Sequence, residues 1–225
     1  MNDNSLQAKR EQLLADGVLM MDPSAVYVEE TVTVGAGTLL LPGTILRGET
    51  VIGANCTIGP QVMLTGCTVE DGCTINASQC EESVIRRDCQ IGPYTHIRPH
   101  CVVGAGSKIG AFVQMKNCNL GAGTKMAHLT YVGDSDVGED CNFGCGTVTC
   151  NYDGFHKYRT TIGSRVFVGC NTNFVAPVTV EDGAFIAAGT TVTGTVPGDA
   201  MAIGRVRQEI KEGWAGENRK RKGKK

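Results

Sequence analysis

The stretch VYVEETVTVGAGTLLLPGTILRGETVIGANCTIGPQVML, residues 26–64, decides the fold, because an aliphatic residue returns at every sixth position. Stepping by six passes through Val28, Val34, Leu40, Leu46, Ile52, Ile58 and Leu64. After a slip the series resumes at Ile85, Ile91, Ile97, Val103, Ile109 and Met115, and a third run reads Ile162, Val168, Phe174, Val180, Ile186 and Val192. Glycine often follows the aliphatic residue, as at Gly35, Gly53, Gly59, Gly92, Gly104 and Gly110. A period of six fits neither the helical 3.6 nor an alternating strand broken by hairpins. It fits short strands joined by tight turns, each offering one aliphatic side chain to a shared interior, and such hexads stack as a parallel β-helix. With roughly three hexads per coil and strands about 4.8 Å apart, some nine coils make a prism on the order of 45 Å tall. A rod of this kind leaves flat faces, and association along its sides is expected.

Composition agrees with an all-β chain of corners. Of 225 residues, 30 are glycine and only 5% aromatic, which suits many turns and little bulk, while 41% apolar content suffices for a core. The net charge of −2 gives no field for nucleic acid or membrane. MNDNSLQAKREQ lacks the apolar centre of a signal peptide, so the expected compartment is the cytoplasm. Eleven cysteines, an odd number in a long chain, give no disulfide frame. No CxxC knuckle occurs, and Cys141 with Cys145 is the closest pair to the histidine at 128; no metal site is expected, and small reduced fillers are the plain reading.

Three segments divide the chain. Residues 1–24 form an N-terminal helix and arm, with the helix closed by Gly17 and weakly capped by Asn4 and Gln7. Residues 25–204 form the β-helix. Residues 205–225 form a polar tail ending in a solvated basic run. The largest break in the period, TCNYDGFHKYRTT at 149–161, reads as a loop ejected from the prism and as the place to look for function.

Particular segments go further than the hexad. IRPHCVVGAG (97–106), VQMKNCNLGAGTKMAHLTYVGD (113–134), GTVTCNYDG (146–154), VFVGCNTNFVAPVTV (166–180), IAAGTTVT (186–193) and RVRQEIKEGW (205–214) resemble the acetyltransferase half of the bacterial bifunctional enzyme that makes UDP-N-acetylglucosamine. DGVLMMDPSAVYVEETVTVG (16–35) resembles the entry to that half, so the resemblance runs from about Leu14 to Trp214. It implies a left-handed β-helix, a homotrimer, and transfer of acetyl from acetyl-CoA to the 2-amino group of glucosamine 1-phosphate. Acetyl-CoA enters as a co-substrate, with no permanently bound cofactor. Nothing in the chain matches the family's nucleotidyltransferase domain, so a free-standing acetyltransferase with a separate uridylyltransferase as partner is expected.

An amino-sugar is largely an ammonium at neutral pH and cannot attack a thioester until it loses a proton. A base near pKa 7 is needed, which histidine supplies. Of the four histidines, His96 and His100 flank Arg98 and His156 lies in the ejected loop. His128 stands in AHLTY, where the family carries its base, and alone it would read as a corner histidine in a structural role. The resemblance also assigns Arg98, Lys116 and Lys157 to the substrate phosphate, with Tyr131 and Asn142 on phosphate or sugar. It assigns Cys145, Cys170, Ala188 and Arg205 to acetyl-CoA, and puts Asn151 and Tyr152 where sugar and thioester meet, with backbone N–H groups there to hold an oxyanion. Cys170 takes the place of a usual serine; direct transfer needs no acyl-cysteine. Two departures stand out. Gln114 replaces a glutamate near the base, and an amide can orient the ring but not raise its pKa. GRVRQ replaces a usual Ser-Arg-Val-Pro-Gln, which loosens the approach to Arg205.

Rival readings are a hexapeptide carbonic anhydrase holding zinc with three histidines, an acetyltransferase for a nucleotide-linked amino-sugar, and a non-catalytic trimeric scaffold. The joint presence of His128, Lys116, Tyr131, Asn142, Asn151, Tyr152 and Lys157 argues against the scaffold.

Overall fold

The computed structural model describes residues 3–223, with side chains from residue 4. Between Leu19–Met20 and Met201–Ala202 the chain winds through short strands that pair only in parallel with strands one coil away. Three faces result. Among the described residues the first carries eleven strands, which makes ten coil-to-coil steps rather than the expected nine coils in all. The second begins at Tyr27–Val28 and the third at Thr33–Val34. The strands Gln114–Leu120 and Tyr131–Val137 turn the corner between second and third faces without a break, so those faces share one hydrogen-bonded sheet.

The interior is a set of columns, one side chain per strand. Leu40, Ile58, Ile75, Ile91, Ile109, Met126, Phe143, Val168 and Ile186 rise along the first face, and all are buried. Where a coil holds 18 residues the aliphatic step is six, as in Gln90↔Lys108. A coil of 17 shortens one step to five, as in Leu64 to Val69 and Met115 to Leu120, and a coil of 16 shortens two, as in Ile75 to Cys80 to Ile85. That shortening is the slip in the series. Two coils are longer: Leu19↔Leu39 spans 20, and Asn142↔Phe167 spans 25, its surplus lying between the strands Val148–Cys150 and Thr160–Ile162.

Cysteine takes part in the stack as a small corner residue. The position before seven successive first-face strands holds Thr38, Cys56, Cys73, Cys89, Ser107, Thr124 and Cys141. Thr38 Oγ1 donates to the carbonyl of Gly53 at 2.7 Å; Cys73 and Cys89 thiols donate to Arg86 and Gly104 carbonyls at 3.0 and 3.1 Å. The thiol thus stands in for a hydroxyl as a weaker donor. At another corner, burial pushes the Cys67 thiol up to about 11. All cysteines among the described residues are free.

The helix α1 (Asp3–Ala15) lies across the first coil, with Leu13 buried against it. Gly17, at φ +86°, closes it: the Gly17 and Val18 amides donate back to the carbonyls of Leu14 and Leu13. The capping expectation for Asn4 and Gln7 fails. Asn4 lies inside the helix, and the Gln7 amide donates to Glu11 one turn later at 2.9 Å. The tail contains a helix the sequence reading did not place, α2 (Trp214–Arg221), with no buried residue. Among the described residues no helix is long and apolar enough to cross a membrane.

Candidate active site

Apart from Asn142 and the ejected loop, the candidate residues fall on or beside the second face. His128 ends a first-face strand, and register places it above Ala111. The next residue, Leu129, has φ +41°, donates its N–H to Ala111 and accepts from Gly146 above. Thr130, buried, donates its hydroxyl to the His128 carbonyl at 2.8 Å. The backbone is therefore fixed while the imidazole stands exposed at the corner.

Directly above His128 the same corner position is Cys145, then Cys170, then Ala188. Successive N–H donations link these coils, from Asn171 to the Cys145 carbonyl and from Gly189 to that of Cys170, both at 2.8 Å. Arg205 completes the column, its guanidinium donating to the Ala188 carbonyl at 2.7 Å. Each step is about 4.8 Å. One straight edge thus carries the candidate base at its foot and a guanidinium at its head. The altered GRVRQ segment still brings Arg205 to this column.

The opposite edge holds the cations. Arg98, Lys116 and Gly133 occupy one register position in successive coils. Lys157, on the ejected loop, reaches the same place: its side chain, with Arg98 behind it, holds the Lys116 ammonium below its usual range. Tyr131 lies on the second face, and its ring extends over Gly133; a Cβ there would sit 2.3 Å from the tyrosine hydroxyl. Glycine leaves the room that carries this hydroxyl toward the cations.

The loop is well tied. Tyr152 and Lys157 bridge antiparallel across it, and Tyr158 N–H donates to the Asn151 carbonyl at 2.9 Å. Asp153 accepts from the Phe155 and His156 amides, which hold its carboxyl below the usual range. The Tyr152 hydroxyl donates to Gly154 within the loop, and the ring is exposed. Arg159 clamps the loop's end to Asp136 with two bonds, 2.9 and 2.8 Å.

Register also places Gln114 and Asn142. Gln114 aligns with Tyr131 and not with His128, three residues further along the coil from the base's own register position. Asn142 lies on the first face, in register with Lys125, away from the cation edge of its own chain. Sequence reading also missed Asp134, which is buried and receives the side-chain amides of Asn117, at 2.5 Å, and Asn151. Asn117, Asp134 and Asn151 are spaced by 17, one coil, and that spacing was the available signal. Among the described residues no three His, Cys, Asp or Glu side chains gather as metal ligands would.

Comparison with known proteins agrees with this architecture. Residues 23–105 match the family described as GMPPB C-terminal domain, and residues 159–194 match the bacterial transferase hexapeptide family (six repeats). The chain is 44% identical over 204 residues to the bifunctional protein GlmU of Clostridium acetobutylicum, covering 91% of this chain and 45% of that protein. It is 47% identical to GlmU of Caldicellulosiruptor saccharolyticus, covering 89% and 43%. Against GlmU of Brevibacillus brevis the identity is 46%, with coverage of 94% and 46%. The chain spans a little under half the length of these curated relatives. Among solved structures, the Francisella novicida UDP-N-acetylglucosamine acyltransferase superposes with a TM-score of 0.53 at 18% identity, over 92% of this chain and 74% of that one, which speaks for the fold. The chain is thus a hexapeptide-repeat β-helix protein, similar over about nine-tenths of its length to one half of the bifunctional GlmU proteins.

Proposed function

We propose that this chain transfers the acetyl group of acetyl-CoA to the 2-amino group of glucosamine 1-phosphate. One observation carries the reading: the second face has three cations and a tyrosine hydroxyl along one edge, and a straight column from His128 to Arg205 along the other. The first arrangement suits a sugar phosphate. The second suits an extended thioester carrier whose phosphates meet Arg205 while its acyl end lies beside Cys145 and the imidazole. Identities of 44–47% to GlmU proteins support the assignment.

Within this reading the amine nitrogen attacks the thioester carbonyl and His128 takes a proton from it. The C–N bond forms, the C–S bond breaks, and the departing thiolate receives a proton from the imidazolium. Cys170 contacts the donor and forms no bond to it. Asn151 spends its side-chain amide on Asp134, so its contribution at the reacting carbonyl is a backbone one.

The two edges belong together only across a boundary between copies. His128 ends one strand and Gly133 lies in the next, five residues on and around the corner at Leu129, a span of no more than about 16 Å. A second prism laid against this face brings its own edge to the first, and a homotrimer closes such contacts in a ring. Asn142, stranded on the first face of its own chain, joins a site in the same way.

The test is acetyl-CoA with glucosamine 1-phosphate, glucosamine 6-phosphate or a nucleotide-linked glucosamine, following thiol release. Turnover is expected with the 1-phosphate alone, and His128→Ala lowers it by at least about a hundredfold. Undiminished turnover in that variant removes His128 as the base.

A further inference from the structure

At the cation edge, three corner residues join their side chains in a ladder, and none of those side chains takes part in the chemistry above. Asn117 and Asp134 have φ of +48° and +47°, a left-handed conformation that asparagine and aspartate tolerate better than most residues. Asp134 is 7% exposed, and both of its carboxylate oxygens are taken: Oδ1 by Asn117 Nδ2 from the coil below, Oδ2 by Asn151 Nδ2 from the coil above. A carboxylate at the middle can accept from both amides at once. An amide there cannot, because its own N–H2 would face another N–H2.

What the ladder touches gives it meaning. Asn117 follows Lys116, and Asn151 is the residue from which the ejected loop departs toward Tyr152 and Lys157. The Asn117 carbonyl also accepts from Arg159 at the loop's far end, at 3.3 Å. Both roots of the loop therefore converge on one coil corner. We propose that Asp134 is a positioning residue for acetyl transfer, fixing through Asn117 and Asn151 the loop that holds Lys157 over Lys116 and Arg98. This rests on the proposed function. A negative charge beside three cations also moderates their mutual repulsion, and Asp134 does support the charged form of Lys116.

The test compares Asp134→Asn with the double variant Asp134→Asn, Asn117→Asp, which exchanges charge and amide and re-pairs every donor with an acceptor. In the single variant KM for glucosamine 1-phosphate rises at least about tenfold and kcat falls, while KM for acetyl-CoA stays within about twofold because its column stands on the other edge. Tryptic cleavage after Lys157 quickens by at least about fivefold. The double variant brings both readouts back to within about threefold of wild type. A single variant with unchanged sugar KM and cleavage rate overturns the proposal, as does a double variant no better than the single. If Asp134→Asn does not fold, the double variant alone decides by the same two readouts. A wild type inactive on every amino-sugar phosphate sinks the proposed function instead, and the cleavage rates still decide the role of Asp134.

Discussion

Lys157, carried on the ejected loop, meets Lys116 on the body of the prism closely enough to hold its ammonium below the usual lysine range. Cations brought together in excess of the one carboxylate beside them, Asp134, work against folding. Lys116 has a lower pKa folded than unfolded, so this cost is complete at neutral pH. It eases only as pH rises through the lowered value. Replacing Lys116 by methionine is therefore expected to raise Tm slightly while weakening glucosamine 1-phosphate binding at least about tenfold. Inorganic phosphate should raise Tm of the wild type and not of the variant. Thermal melts with and without phosphate check both halves.

Cys170 is exposed within the column that ends at Arg205, whereas the cysteines at the interior corners are buried. On the proposed function Cys170 lines the donor path without reacting, which makes it replaceable by serine. Cys170→Ser is expected to keep kcat within about threefold, since no covalent step is lost. It should also remove most of the inactivation caused by iodoacetamide. Loss of all turnover in Cys170→Ser would mean that the sulfur carries the acetyl group.

Phe174 is fully buried and, among the interior columns, unusually large; register sets it directly above Thr149. The threonine spends its hydroxyl on Gly133, accepting from its N–H at 2.8 Å, so the phenyl ring fills the space beside it. Phe174→Ala should cost about 3–5 kcal/mol, read as a lower urea midpoint. A midpoint shift worth under about 1 kcal/mol would show that the coil collapses around the gap.

Arg159 holds the Asp136 carboxyl below the usual range, and both side chains are partly exposed. The folded pKa is depressed, so the clamp contributes above about pH 4 and is lost as pH falls through the lowered value. Arg159→Ala is expected to change global stability by less than about 1 kcal/mol. Amide exchange between residues 151 and 158 should nevertheless accelerate, and wild type should approach the variant's rates on acidification toward pH 3. Unchanged exchange in Arg159→Ala would show that the ladder at Asp134 alone holds the loop.

Much of this was legible because the repeat places one aliphatic residue per strand, and Val28 through Leu64 announce three faces without help. The count of coils was harder. Each 17-residue coil drops one residue at a corner, and steps such as Met115 to Leu120 hide inside a series read by sixes. The cation edge was readable from the motifs around Arg98, Lys116 and Lys157. Its scaffold was not, because Asn117 and Asp134 look like ordinary turn residues until the 17-residue register stacks them. Gln114 was legible only through the resemblance, and register now sets it beneath Tyr131, around the corner at Leu129 from His128.

The column from His128 to Ala188 also works as a ruler with fixed graduations. Distances along it change only in whole coils, because a partial insertion would shift every inward side chain outward. An 18-residue coil added between Cys170 and Ala188 should fold, yet it would carry Arg205 about 5 Å beyond its mark. On the proposed function, the length of acyl carrier that suits this edge is therefore quantised by the repeat itself.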